Sequence, residues 1–249
     1  MNQHDIIDGF LEFLRNTAPA GEVGPILRRY QDHLEATLSP EDAEAAMAVS
    51  LRHMNQSTEV WPIMFDLIYS SGQVTFRAEP NELLTRAIEG LEPGTAIDVA
   101  MGQGRNAVYL ATKGWAVTGV DISPVGVESA AVEAQARGTS IDATCADIFN
   151  YDYGDGVWDL MVFTYTPVHL DDPDVVAGIR RGLKSQGLVV IESFVSLVDT
   201  PMRRPVDIDP DELRRVWSEF DFPIFEDVDA IPDWDHEPRR VIRAVATKT

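Results

Sequence analysis

The chain has 249 residues, is 45% hydrophobic, and carries a formal charge of −21 from 41 acidic and 20 basic side chains. That length and apolar content suit one large α/β domain, or a domain with an appendage, while a field of that sign repels phosphate backbones and anionic membrane surfaces, so no nucleic-acid partner is expected. No run reaches the roughly 18 uninterrupted apolar residues that a membrane span needs, and the single cysteine, Cys145, excludes an intrachain disulfide and a cysteine-based metal cluster.

Met1 to Asp5 have neither a basic n-region nor a long apolar h-region, so no signal peptide is expected and the setting is read as cytoplasmic. Residues 1–90 read as helices. Ile6, Ile7, Phe10, Leu11 and Leu14 share one helical face, and Ile26, Leu27, Tyr30 and Leu34 share another. Ser39-Pro40-Glu41-Asp42 is a helix start, with a capping hydroxyl, a proline suited to the first turn and acids at the positive end of the dipole. A further helix carries Trp61, Met64, Phe65, Ile68 and Tyr69 and ends near Ser71-Gly72. A short one follows Pro80-Asn81, and Glu92-Pro93-Gly94 is a turn. The apolar stripes demand burial, either as a lid over a ligand site or between subunits of a homodimer.

From Thr95 the period changes. Apolar strands at about 95–99, 115–120, 140–145, 157–164 and 187–195 alternate with amphipathic helices at about 104–113, 124–137 and 173–183. This alternation is the mark of a doubly wound parallel sheet with helices on both faces. Cys145 falls in the third strand, in the apolar run Ile141 to Ala146, and is expected to be packed inside. A helix from Asp209-Pro210 through Trp217 precedes two more strands, about 222–231 and 241–247, which can pair antiparallel.

The residues that carry chemistry lie at strand ends. Asp98 sits in the first strand, ahead of the turn Gly102-Gln103-Gly104; Asp121 ends the second strand and Asp147 the third. In a doubly wound sheet these ends line the ligand crevice. A carboxylate after strand two suits a ribose diol. One after strand three accepts from an adenine amine, with Ile122 or Ile148 packing on the ring. An acid beside the glycine turn suits a cationic ligand, by contact, through water or by orienting the loop.

The segment from Gly102-Gln103-Gly104-Arg105-Asn106-Ala107 to Val120-Asp121-Ile122-Ser123, with Glu79-Pro80-Asn81 upstream, resembles the class I S-adenosylmethionine (SAM)-dependent methyltransferases, and most closely their tellurite-resistance branch. The resemblance covers about residues 95–249. It implies a Rossmann-like, seven-stranded, mostly parallel sheet with the last strand antiparallel, an N-terminal helical extension over 1–90 and a SAM-binding region over 91–249. It implies that Gly102 and Gly104 approach the methionine part of SAM, that Asp121 meets the ribose, that Asp147 and Ile148 meet the adenine, and that Phe163 and Thr164 lie near the sulfonium. Asp98, Ala100, Arg105, Asn106 and Ile122 join these as cofactor contacts, and Tyr69 as a lid contact. Ala100-Met101 stands where the family commonly has Gly-Cys or Gly-Ser.

His169 and Tyr165, after strand four, are the candidates for handling the acceptor's proton or hydrogen-bonding the acceptor. His169, Asp171, Asp172 and Asp174 also have metal-ligand chemistry, but Asp171-Asp172-Pro173-Asp174 reads better as an acidic helix start, so no metal is expected. The aromatic stripe of Trp61, Phe65, Tyr69 and Phe76 reads as packing or lid, and Met202-Arg203-Arg204 as a loop that would favour an anionic substrate if it faced the pocket. Two alternatives stand beside methyl transfer to a small molecule, with S-adenosylhomocysteine as product. One is a SAM or S-adenosylhomocysteine binder without that activity. The other is a NAD-dependent dehydrogenase, because Gly102-x-Gly104-x-x-Ala107 satisfies the dinucleotide fingerprint. Asp98 opposes the last, since an anion beside a pyrophosphate loop is unfavourable.

Overall fold

The computed structural model describes residues 2–72, 77–196, 206–233 and 237–249. Phe76 and Met202-Arg203-Arg204 lie outside the described residues. The chain divides into two compact units. The first holds the described residues up to 72 together with Ile122–Gly126; the second holds 77–121 and the described residues from 127 onward.

The first unit contains helices α1 (Gln3–Asn16), α2 (Val23–Thr37), α3 (Pro40–Gln56) and α4 (Val60–Tyr69). Ser39 accepts from the Asp42 N–H at the start of α3, and Pro40 occupies its first turn. The apolar stripes bury one another: Phe10, Leu14, Ile26, Tyr30, Ala46, Val60 and Met64 form one core. Each large side chain so buried contributes about 1.5–3 kcal/mol. The buried Tyr30 hydroxyl is satisfied by Ser50 Oγ at 3.1 Å, and Trp61 Nε1 donates to the Met54 carbonyl at 3.0 Å.

The second unit is built on strands β1 (Thr95–Val99), β2 (Ala116–Asp121), β3 (Asp142–Cys145), β4 (Trp158–Thr164), β5 (Leu183–Val195), β6 (Asp207–Ile208), β7 (Phe220–Ala230) and β8 (Arg239–Lys248). Its helices are α5 (Glu82–Ala87), α6 (Arg105–Thr112), α7 (Pro124–Ala136), which begins in the first unit, α8 (Pro173–Gly182) and α9 (Pro210–Val216). The strand order is β3-β2-β1-β4-β5-β8-β7, with β6 pairing alongside β5. β1 to β5 are mutually parallel where they pair, and β8 runs antiparallel to both β5 and β7. The seven-stranded, mostly parallel sheet with its last strand antiparallel is therefore present. The two-residue β6 is an addition that the apolar pattern after strand five does not announce.

Strand alternation sorts the core into two layers. Ile97, Val99, Met161, Phe163, Val189 and Ile191 face α8 and α9, packing with Ile179, Leu213 and Trp217. Ala96, Leu160, Val162 and Val190 face the other way, with Leu83, Leu84, Leu110 and Ala130. Cys145 is exposed, contrary to the packing expected of it: β3 is an edge strand, and its burial pattern is open along its length.

Candidate functional site

The carboxyl end of β1 runs straight into a tight turn. Ala100 adopts φ 57°, Gly102 φ 57° and Gly104 φ 81° before α6 begins at Arg105. The left-handed region costs a side-chain-bearing residue about 1–2 kcal/mol, so Ala100 holds a position where glycine is the relaxed choice. Gly104 is required for another reason as well. A Cβ there would sit 2.6 Å from Ala130 Cβ, so its missing side chain lets α6 and α7 approach, independently of any ligand. Gly119 is similarly crowded, by Met101 Sδ, which folds over β2.

Both acids flanking the turn hold it. Asp98 is 1% exposed, and its Oδ2 accepts from the Ala107 N–H at 3.0 Å, satisfying a donor in the first turn of α6. Burial pushes its carboxyl up to about 7; the Arg105 guanidinium and the Ala107 N–H pull the other way, and Asp121 adds to the rise. Asp121 is 4% exposed, and its Oδ2 accepts from the Gly102 N–H at 2.8 Å. One carboxylate thus orients the helix start and the other the glycine turn.

At the end of β3, Asp147 accepts from the Phe149 N–H at 3.0 Å and opens a single 3-10 turn. Ile148 is buried in the core, whereas Phe149 is 47% exposed. The open apolar surface at this corner therefore belongs to Phe149, a residue that period and spacing did not single out. Its ring lies 6.5 Å from that of His169, which is exposed beyond β4. Phe163 and Thr164, adjacent in β4, point to opposite faces. The Phe163 side chain is fully buried against Tyr153, and the half-buried Thr164 hydroxyl accepts from Asn106 Nδ2 at 3.0 Å. Ile122 is half-buried and falls with the first unit, as does Tyr69, whose ring stacks on Phe65 at 5.7 Å.

Tyr165 follows β4 with φ 54° and is 5% exposed. Its hydroxyl donates to Glu192 Oε1 at 2.6 Å. Burial pushes that hydroxyl's pKa up, and the Glu192 charge adds to the rise. Glu192, 1% exposed near the C-terminal end of β5, is itself raised by burial and held down by the Tyr165 hydroxyl and Arg243. Arg243 Nε lies 2.9 Å from Glu192 Oε2, close enough for an ion pair although the N–H does not point along that line. The next residue, Thr166, is 3% exposed, and its hydroxyl has no partner among the described residues. Asp172 caps α8 by accepting from the Asp174 N–H at 2.8 Å. Among the described residues no three His, Cys, Asp or Glu side chains are grouped to hold a metal ion, and no helix is long and apolar enough to cross a membrane.

The donor set at the β1 and β2 ends suits an adenosyl cation. A carboxylate has about four lone-pair sites. Asp121 commits an oxygen to Gly102, and Asp98 brings a second carboxyl group close to the turn.

Residues 96–187 match a family model described as a methyltransferase domain. Over 150 residues the chain is 27% identical to hemagglutinin 1 of Eikenella corrodens, covering 58% of this chain and 49% of that protein. Over 144 residues it is 26% identical to a 2-heptyl-1-hydroxyquinolin-4(1H)-one methyltransferase of Mycobacteroides abscessus, covering 56% and 63% respectively. The matches thus span about half to two thirds of these curated relatives. TehB from Haemophilus influenzae shares the fold, with a TM-score of 0.60 over 76% of this chain and 67% of TehB at 17% identity.

Proposed function

We propose that this chain, whose residues 96–187 match a methyltransferase domain model, is a class I SAM-dependent methyltransferase that moves the methyl group of SAM to a heteroatom of a small-molecule acceptor by direct in-line attack. The observation that carries this reading is the pair of buried carboxyl groups, Asp98 and Asp121, the first hydrogen-bonded to the start of α6 and the second into the glycine turn before it. SAM, when bound, supplies a methyl already activated on a sulfonium, so alignment and exclusion of water are what the protein must add.

In this reading Asp121 receives the ribose hydroxyls, Gly102 and Gly104 keep the approach to the turn open, and Asp98 balances the ligand's positive charge. Ala100, Arg105 and Asn106 shape the same turn. Asp147 accepts from the adenine amine, and Phe149 offers apolar surface for the ring. The Thr164 hydroxyl marks the edge of the pocket nearest the transferred methyl. His169, exposed beside Phe149, takes the acceptor's proton where one must leave. Tyr165 serves as an anchor, because its proton is committed to Glu192. The unpartnered Thr166 hydroxyl is a further group that an acceptor would satisfy.

The acceptor we favour is a hydroxyl on a planar heteroaromatic ring. One relative is named for methylation of a hydroxyquinolinone. We read the N-terminal helices of the first unit as an extension to the SAM-binding region, and the setting as cytoplasmic. Calorimetry with SAM and with NAD separately tests the cofactor: SAM binding is expected, and NAD binding without a response to SAM would overturn the reading. Asp121→Ala should weaken SAM by roughly ten-fold or more, since both a charge-assisted contact and the Gly102 tether go. Firm SAM binding with no turnover over a panel of hydroxylated heteroaromatics would instead favour a binder without methyltransferase activity.

A further inference from the structure

Asp233 lies between β7 and β8, 128 residues from Arg105 in sequence, and nothing in its local pattern singles it out. It is 8% exposed. Its Oδ2 takes a hydrogen bond from Arg105 Nη2 and a second from Asn81 Nδ2 at 2.8 Å. Its backbone carbonyl accepts from the Arg77 N–H at 3.2 Å, and its backbone N–H donates toward the Tyr165 hydroxyl.

Each of those partners leads to the glycine turn or to the end of β4. Arg105 is the first residue of α6, directly after Gly104, and its other nitrogen, Nη1, donates to the Glu79 carbonyl at 3.2 Å. Asn81 caps α5 by accepting from the Leu84 N–H at 3.1 Å, and its own N–H donates to Asn106 Oδ1 at 2.9 Å. Asn106 passes the connection to Thr164. The Arg105 and Asp233 side chains are only 15% and 9% exposed, so the pair is shielded from solvent screening, and losing one partner strands the other's charge.

We propose that Asp233 is a positioning residue for the cofactor site: through Arg105 and Asn81 it fixes the first turn of α6, and so the presentation of the Gly102–Gly104 turn to SAM. This rests on the methyltransferase reading for the identity of the ligand, though not for the positioning itself. A pocket whose donors are backbone N–H groups loses affinity when the turn that carries them drifts, even if no ligand contact is removed. Asp233 touches neither cofactor nor acceptor in this account, and acts on both only through the side chains it holds.

Two measurements on the full chain test it. Hydrogen exchange on the ligand-free protein reads positioning: Asp233→Asn should speed exchange of the amides at 102–107 while leaving those of β5 and β8 unchanged. Calorimetry reads the consequence: Asp233→Asn should raise the SAM dissociation constant roughly ten-fold, and in an Arg105→Met background the same substitution should add little, because the two act as one unit. Asp233→Glu should recover part of the affinity. Unchanged exchange at 102–107, or SAM effects of the two substitutions that simply add, would overturn the proposal, as would a lowered melting temperature with affinity intact. Failure of the wild-type chain to bind SAM would instead strike the functional reading, and the exchange experiment would still decide the role of Asp233.

Discussion

Two layers of polar contact meet at the carboxyl edge of the sheet, and they are built differently. The inner layer is local. Asp98 holds the Ala107 N–H nine residues on, and Asp121 holds the Gly102 N–H nineteen residues back. The outer layer is long-range. Asn81 meets Asp233 across 152 positions, Arg105 meets it across 128, and Tyr165 reaches Glu192 on the neighbouring strand. The inner layer makes the turn; the outer one decides how firmly it is held and how the end of β4 is shaped. A turn built from near neighbours can form as soon as β1, β2 and α6 come together. The outer ring requires the C-terminal hairpin to have docked, so it couples the last strands of the chain to the first.

Breaking the inner layer should have the largest effect. Gly104→Ala places a Cβ 2.6 Å from Ala130 Cβ at φ 81°, and should cost about 2–4 kcal/mol in urea denaturation through combined strain and overpacking. A loss below 1 kcal/mol would show that α6 and α7 separate easily and that the turn is less constrained than the contacts indicate. Tyr165→Phe probes the outer layer. It removes the donor from a buried carboxylate and should cost about 1–3 kcal/mol, with the turn's ligand affinity less affected than its stability. Equal stability of the two proteins would mean that Arg243 and Asn81 together satisfy Glu192.

The pH dependence separates the layers more finely. Asp98 is raised from 3.8 to about 7 by burial, so the folded chain keeps a proton that the unfolded chain has released. Its contribution is therefore full below about pH 4 and is lost as pH rises toward 7. Asp98→Asn should flatten the stability profile across that window while reducing affinity for a cationic ligand. A profile as steep as that of the wild type would assign the slope to the outer layer, where Glu192 is raised in the same direction. The smallest effect is expected at Ala100→Gly. Relief of the left-handed residue is offset by the added freedom of the unfolded chain, leaving stability within about 0.5 kcal/mol. A change beyond 1 kcal/mol in either direction would show that the turn's backbone is governed by more than its φ angle.

The elements of the sheet unit were legible because each is written in near neighbours. The short apolar run of Ala96 to Val99, the proline after Ser123 and the caps at Asp172 and Asp209 announce strands and helix starts that the structure contains. The acids at the ends of β1 and β2 were legible for the same reason. Phe149 was not, because its exposure depends on Ile148 turning inward over a 3-10 turn. Asp233 was not, because it sits in a polar link with no period and gains its meaning only from what it meets.

By itself, then, the sequence determined the order of strands and helices, the glycine turn and the carboxylates beside it, since hydrophobic period and capping chemistry act over a few residues. Only the tertiary structure decided that Gly104 is there for Ala130, that Ala100 and Tyr165 hold left-handed backbone, and that Asp233, Asn81 and Arg105 share one buried ring. Those outcomes follow from which loops the strand order brings together and from the cost of leaving a buried polar group unpaired, and neither is written in any local stretch of the chain.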